Sequence, residues 1–597
     1  MLRPAVPTML AFAVVAACSK APTPGPAIPA AATAVPGADG LFAEPLPARA
    51  KDDGPRFQKV DPARSGLRFQ NELRRENSVA YVYTGAGLAV GDYDGDGWPD
   101  VYLVSQDGPN KLFRQTAPLV FEDVTAKAGG LDGGDAWGNA ASFADVDDDG
   151  DLDLYVCNLE SPNLLYLNQG NGTFVEKAGP FGLGLVAASM GCAFADYDND
   201  GDLDLYVLTN RMLKNLLPDE IIAGVRLPKA VKKTKAELLP PYPTFPKDAD
   251  GNLVVPPGYE DHFFTVPGST SPFLAGQCDR LFRNDGYGHW VDVTKQSGIH
   301  DQGNGLSVVW WDFDGDGRMD LYVANDFQSP DQLYRNLGNG RFADVTKERL
   351  PHTAFFGMGC DFGDLDHDGR FDLCVADMSS TQHYWGKMLM GSMDQHRWFL
   401  MNAVPQQYMR NALYVNTGTE RFLEAAYLAG LASSDWTWAV RFADLDDDGW
   451  LDFYATNGIP VFTDNPDIGD RFTKLWLEGA RQQAVELFRS IPSVAEKNVA
   501  RRNDGAAVGG LHFTDMGAEW GLDESNVAHG AVVVDLDRDG DLDVLTNNLN
   551  APCSLFENRG SDGHRVLVEL RGDQSNSRGV GAVVKVTTGG AVQTAQV

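Results

Sequence analysis

Short apolar runs bounded by glycine, asparagine and aspartate recur along most of the chain, always in the same order. First comes a stretch of small and apolar residues, such as Gly305-Leu-Ser-Val-Val-Trp-Trp311 or Asn139-Ala-Ala-Ser-Phe143. An acidic loop follows, then an alternating run such as Leu152-Asp-Leu-Tyr-Val156, Leu203-Asp-Leu-Tyr-Val207 or Leu321-Tyr-Val323. Alternation of this period predicts strands. A third run ends in an Asn-Gly turn, as in Gln332-Leu-Tyr-Arg-Asn336 before Gly338-Asn-Gly340. Both turn residues tolerate positive φ, so this is a hairpin signal. A fourth run closes the unit: Phe121-Glu-Asp-Val-Thr125, Trp290-Val-Asp-Val-Thr294, Phe342-Ala-Asp-Val-Thr346. Each unit is therefore four short antiparallel strands, with the acidic loop joining the first to the second.

The loop carries aspartate at positions 1, 3, 5 and 9 and, with one variable position between, glycine at 6. Its copies hold Asp92, Asp94, Asp96 and Asp100, then Asp145, Asp147, Asp149 and Asp153, then Asp196, Asp198, Asp200 and Asp204. The next are Asp312, Asp314, Asp316 and Asp320, and Asp364, Asp366, Asp368 and Asp372. Asp444, Asp446, Asp448 and Asp452 precede the last set, Asp535, Asp537, Asp539 and Asp543. The first nine positions match the ligand logic of a helix-flanked calcium loop, but the flanks here are strands and no glutamate stands at position 12. Four carboxylates in one tight turn repel one another unless a cation neutralises them, and hard oxygen ligands select Ca²⁺. The expectation is Ca²⁺ at about seven sites, in a structural role. The bland alternative is a solvated acidic turn.

Units of about 50 residues with four strands each predict a β-propeller. Longer intervals mark insertions at 209–277, 378–409 and 459–502, the last holding an amphipathic helix around Thr473 to Ser490. The seventh unit lacks a fourth strand, and a copy stands instead before the first loop, at Phe57-Gln-Lys-Val60. The fold class is therefore all-β: a seven-bladed propeller over 56–563, closed by its N-terminal strand, which leaves no unpaired edge. Residues 564–597 start a small, incomplete C-terminal β domain, with strands expected at Arg565-Val-Leu-Val-Glu-Leu570 and Gly581-Ala-Val-Val-Lys-Val586.

The formal charge of −34 is largely carried by the loops, and seven Ca²⁺ would bring it to about −20. That balance excludes a nucleic-acid footprint. Residues 1–18 form a lipoprotein-type signal: Arg3, an apolar run from Met9 to Ala17 too short to span a bilayer, then Val15-Ala16-Ala17-Cys18 with Cys18 the lipidation site. An ordinary cleaved signal peptide is the alternative. The Ala/Pro-rich stretch 19–55 is an extended tether. The chain is expected outside the cytosol, held at the bacterial cell envelope, outer membrane or cell surface, and touching membrane only through the N-terminal lipid. Cys157, Cys192, Cys278, Cys360, Cys374 and Cys553 remain, and their pairing is open. Cys360 and Cys374 flank one loop and could face each other across its hairpin.

The Asp-x-Asp-x-Asp-Gly-x-x-Asp loops and the Asn-x-Gly-x-Gly-x-Phe runs resemble the FG-GAP/VCBS repeats of integrin-α-like propellers. Asn576-Ser-Arg-Gly-Val-Gly-Ala-Val-Val584 resembles the opening of an ASPIC/UnbV domain. Together, over about 56–597, they resemble the bacterial relatives of cartilage acidic protein 1. The resemblance implies an extracellular, calcium-stabilised propeller with adhesive or recognition roles, and it supplies no catalytic residues.

Residues outside the loops offer less. Met378 to Met409 gathers methionines with His383, His396, Trp385 and Trp398, read as a soft-metal (copper) site, as an adaptable recognition surface, or as a helical cap packed on the ring. Lys229 to Lys235 is a basic cluster, followed by the Pro-rich run Pro240-Pro-Tyr-Pro-Thr-Phe-Pro246, that could hold an anionic glycan or a partner, or be a solvated excursion. No nucleophile elbow, phosphate loop or His-Glu-x-x-His occurs. His367, at a variable loop position, reads as exposed. Two function classes follow: an anchored recognition or adhesion module for a protein or glycan, and, as the alternative, an exported enzyme or enzyme accessory such as one for polysaccharide degradation.

Overall fold

The computed structural model describes residues 54–74, 84–211, 244–260, 262–269, 272–286, 288–300, 302–388, 397–462, 465–505, 510–560, 565–572, 575–588 and 591–597, with 33–34, 42–43 and 46. The signal segment with Cys18, the basic cluster and His396 lie outside them. Among the described residues the strands fall into seven successive four-stranded antiparallel units, two of them joined into one eight-stranded sheet where Val186–Ala195 also pairs with Asp153–Pro162, and one extended by Met378–Ser379. Blade 1 holds Leu88–Gly91, Asp100–Leu103, Lys111–Ala117 and Val120–Asp123. Blade 2 holds Trp137–Ala144, Asp153–Pro162, Leu164–Asn168 and Phe174–Glu176, and blade 3 Val186–Ala195, Asp204–Thr209, Arg280–Asn284 and Trp290–Asp292. Gly305–Trp311, Asp320–Asn325, Gln332–Gly338 and Arg341–Asp344 make blade 4. Cys360–Gly363, Asp372–Val375, Ala412–Val415 and Leu423–Glu424 make blade 5. Blade 6 is Asp435–Ala443, Asp452–Asn457, Val499–Asn503 and Phe513–Asp515.

Blade 7 joins the two ends of the ring. Ala528–Val534, Asp543–Asn548 and Ser554–Asn558 are completed by Phe57–Lys59, with Phe57 opposite Asn558 and Lys59 opposite Phe556. First strands of successive blades pack side by side, and that of blade 7 packs on that of blade 1. The apolar cores lie between blades. Trp311, Tyr322, Leu373 and Tyr414, all fully buried, share one such core between blades 4 and 5. Alternation explains this: one face of each second strand meets the preceding blade and the other meets the next, so both faces are apolar.

Because strands alternate in direction, every acidic loop, joining a first to a second strand, emerges on one face of the ring. All three insertions join a second to a third strand and emerge on the opposite face. The third ends earlier than its sequence boundary, since Val499–Asn503 is already the third strand of blade 6. The predicted helix at Thr473 to Ser490 is instead two helices, Pro466–Leu477 and Arg481–Arg489, broken where Gly479 takes φ +77.

Two further expectations are corrected. Cys360 pairs with Val375 and Cys374 with Asp361, so the two thiols are one register step apart and point to opposite faces. They lie in different inter-blade cores. In the C-terminal segment Arg565–Leu570 forms no strand, whereas Val583–Thr588 pairs with Ala591–Gln596 as a hairpin.

Candidate functional site

Each loop is built around its first aspartate. In the loop at Asp312, Asp316 N donates to Asp312 Oδ1 at 3.0 Å and Gly317 N to Oδ2 at 2.8 Å. The same pair recurs at Asp92 with 3.1 and 2.9 Å and at Asp444 with 3.1 and 2.9 Å. This winding requires positive φ at position 6, met by Gly317 at +80 and Gly449 at +92. Position 4 is left-handed too, occupied by Asp148, Asn199, His367, Asp447 or Arg538 where it is not glycine. His367 is accordingly not exposed as expected: it is half-buried and stacks on Trp450 of the next blade's loop, centroids 3.9 Å apart.

Carboxylates at positions 1, 3 and 5 converge in the loops at Asp92, Asp312 and Asp364, with oxygens within 4.8 Å of one another. In the loops at Asp145 and Asp196 the ninth residues, Asp153 and Asp204, join positions 1 and 3. One oxygen of the third-position residues Asp198, Asp446 and Asp537 is buried with no hydrogen-bond donor. An oxygen in that state is costly unless something positive meets it, so the donor set fits a hard cation. In three loops a guanidinium also reaches in: Arg335 Nε lies 2.6 Å from Asp314, Arg114 pairs with Asp94 and Asp96, and Arg370 pairs with Asp368. Burial raises the Asp147 and Asp446 carboxyls to about 6, their loop partners adding repulsion.

Position 9 does a second job. Asp320 accepts from Phe313 N of its own loop at 3.3 Å and from Asn336 N of the third strand at 2.7 Å. The pattern repeats at Asp372, with Leu365 N at 3.3 Å and Asn416 N at 2.7 Å. Burial pushes Asp100, Asp153, Asp320 and Asp372 up to about 8 despite these bonds. The ninth residue thus ties loop to blade whether or not it also holds an ion.

The third-strand asparagine, legible in sequence only as a turn residue, links neighbouring blades. Asn168 Nδ2 donates to Tyr93 O at 2.7 Å, Asn284 to Val146 O at 3.0 Å, and Asn336 to Tyr197 O at 2.7 Å. Asn416 reaches Phe313 O at 2.7 Å, Asn503 reaches Leu365 O at 3.0 Å, and Asn558 reaches Leu445 O at 3.1 Å. Every acceptor is the second residue of the preceding blade's acidic loop.

The C-terminal segment lies across this face. Ser577 Oγ donates to Asp145 Oδ2 at 2.5 Å, Gln593 Nε2 to Gly449 O at 2.8 Å, and Asp312 N to Gln596 Oε1 at 3.0 Å. Arg565 pairs with Asp541. Loops of blades 2, 4, 6 and 7 are each contacted by it in this way.

On the opposite face the insertions meet. Phe399 of the second packs on Phe273 of the first, ring centroids 5.3 Å apart. Trp385 of the second packs on Phe462 of the third at 5.1 Å. Met378, Ala403, Ile459, Val461 and Ile491 are buried in the same cluster. The described parts of the methionine-rich stretch are therefore a cap on the ring, with helices His383–Met388 and Arg397–Asn402.

A family model described as an FG-GAP-like repeat matches residues 92–156, 145–207, 258–323, 312–375 and 400–455. Cartilage acidic protein 1 from Mus musculus is 25% identical over 306 residues, covering 48% of this chain and 46% of that protein. The Homo sapiens protein is 24% identical, covering 48% and 44%. The chain thus spans a little under half the length of these relatives. Among solved structures, an Agrocybe aegerita lectin in a study of recognition of non-reducing terminal N-acetylglucosamine aligns at 14% identity and TM-score 0.35, covering 76% of this chain and 88% of the lectin. YCF48 bound to D1 peptide aligns at 8% identity and TM-score 0.36, covering 85% and 97%. Scores at this level do not extend the assignment beyond the repeats.

Proposed function

Starting from a chain that carries FG-GAP-like repeats on an all-β propeller, we propose that it is an exported, calcium-stabilised recognition module for a protein or glycan. The observation that carries this reading is the meeting of all three insertions in one apolar cluster on the face away from the acidic loops. Ring positions are committed to inter-blade packing, so variable loops on a rigid scaffold are where binding specificity is built. The loop face is engaged by the C-terminal segment, which leaves the insertion face for a partner.

Calcium belongs to the scaffold in this reading. The aspartates at positions 1, 3 and 5, with the ninth in some loops, would hold it. Bound there, the ion neutralises carboxylates that the fold gathers out of water, and its binding energy becomes folding energy. Cys18 carries the lipid and 19–55 the tether, placing the propeller outside the cytosol, where calcium is plentiful.

The test is a glycan-array and pull-down screen of the exported chain with and without calcium. A saturable ligand lost in chelator is the expected result. Absence of any ligand in both screens, with the protein folded, would defeat the reading. Radiolabelled palmitate on wild type but not on Cys18→Ala tests the anchor.

A further inference from the structure

Where the second insertion returns to blade 5, two tyrosines stand out of the surface around one arginine. Tyr427 is 74% exposed and Tyr408 46% exposed. The Arg410 guanidinium lies 4.9 Å from the Tyr427 ring centroid and 5.9 Å from that of Tyr408. It is fixed from below by Glu424, with Nη1 and Nη2 donating to Oε1 and Oε2 at 2.8 and 2.7 Å, and it lies 2.9 Å from His352 Nε2. His352 is itself buried, its ring 4.9 Å from Tyr408 and nearly perpendicular. Tyr408 is further held by its hydroxyl on Gln406 Oε1 at 2.9 Å and by the pairing of Gln407–Tyr408 with Thr353–Ala354. Leu428, beside Tyr427, is 72% exposed.

We propose that Tyr408 and Tyr427, set on the Arg410–Glu424 pair, form a stacking platform for a neutral saccharide. Three features select that class. First, Tyr408 is held before any ligand arrives by its hydroxyl bond to Gln406 and by strand pairing, so ordering it for stacking costs little. Second, Glu424 cancels the charge of Arg410 inside the protein, so the platform offers aromatic faces and hydroxyls without net charge, on a chain of formal charge −34. Anionic glycans and nucleic acids are disfavoured on that surface. Third, two rings and a leucine make a far smaller contact than the roughly 800 Å² per partner of a stable protein interface. The platform rests on the recognition reading above, since it lies on the insertion face, and it narrows that reading to one ligand class.

The experiment is affinity electrophoresis and calorimetry of the full exported chain against neutral glucans, mannans and galactans. The expected result is retention on at least one, a tenfold or greater loss of affinity in Tyr427→Ala and in Tyr408→Ala, and affinity within about threefold of wild type in Tyr427→Phe. Tyr427 is exposed, so its removal leaves the fold intact, which an unchanged melt confirms. If wild type binds a neutral glycan that both alanine variants bind equally well, the platform is overturned while recognition stands. If wild type binds no neutral glycan, the platform is overturned, and the protein pull-down with the charged members of the glycan array then decides the wider reading.

Discussion

Gln115 Nε2 of blade 1 donates to Leu536 O of blade 7 at 2.7 Å. It stands where the other blades have asparagine, and its bond is the last of seven that run blade to blade around the ring. Its Oε1 also accepts from Leu119 N at 3.1 Å, so the side chain is used at both ends. Truncation in Gln115→Ala leaves a buried carbonyl and amide unmet, and about 1–3 kcal/mol of stability should be lost. Urea denaturation monitored by tryptophan fluorescence measures this. A midpoint equal to wild type would show that the blade-to-blade bonds do not hold the ring.

Removal of divalent ions should lower the melting temperature by several degrees, with calcium restoring it. Differential scanning fluorimetry in EDTA, then with excess calcium or magnesium, gives the answer. A melt indifferent to chelator would overturn the structural role of calcium.

The ion-free protein should respond to pH in an unusual direction. Asp100, Asp153, Asp320 and Asp372 have folded-state values raised to about 8, far above an unfolded aspartate. The folded state therefore binds more protons than the unfolded state between about pH 4 and 8, and stability rises as pH falls through that window. In EDTA the melting temperature should be higher at pH 5.5 than at pH 8. In saturating calcium, where protons compete with the ion, acidification should lower it instead. A calcium-free melt that falls on acidification contradicts the burial of these carboxylates.

Arg410→Met should cost about 1.5–3 kcal/mol, because Glu424, half-buried, would lose two charged hydrogen bonds and its main counter-charge. Burial opposes ionisation of Glu424, yet bonds from His352 and Arg410 hold its carboxyl well below the usual range. That stabilisation is present above the unfolded carboxyl range and is lost as pH falls through the lower folded value. Chemical denaturation at pH 7 checks the loss, and the double variant Arg410→Met with Glu424→Leu should recover part of it.

Thiol mapping under denaturing, non-reducing conditions should find no link between Cys360 and Cys374. Their side chains leave the sheet on opposite sides, and a bridge would require blade 5 to come apart.

The acidic loop announces itself in sequence because its spacing is fixed by the winding that the first aspartate imposes on two amides. The closing strand at Phe57 was equally legible, since a repeat short of one strand at its end and long by one at its start can only share a blade. Asn336 and its equivalents were not. Local pattern shows a residue before an Asn-Gly turn, but the carbonyl it meets is on another blade, more than a hundred positions away in sequence at Tyr197. The helix at 473–490 failed similarly. Its apolar period runs through Gly479 without a break, and only the demand that Phe472 and Phe488 pack face to edge, 6.0 Å apart, folds it back. The strand expected at Arg565–Leu570 alternates well but finds no ladder among the described residues. The common gathering of the three insertions needed only their shared position between second and third strands.

The strand Phe57–Lys59 has a consequence in time. It emerges early during synthesis, and its partner, Ser554–Asn558, is made some five hundred residues later. Closing a loop of that length carries an entropic cost on the order of 5 kcal/mol, met only when a whole blade edge zips at once. The first strand of the ring to be made is thus the last of the ring to be seated, and until then the circle is a row with two open edges. A chain of this design cannot close its ring until nearly all of it has been made.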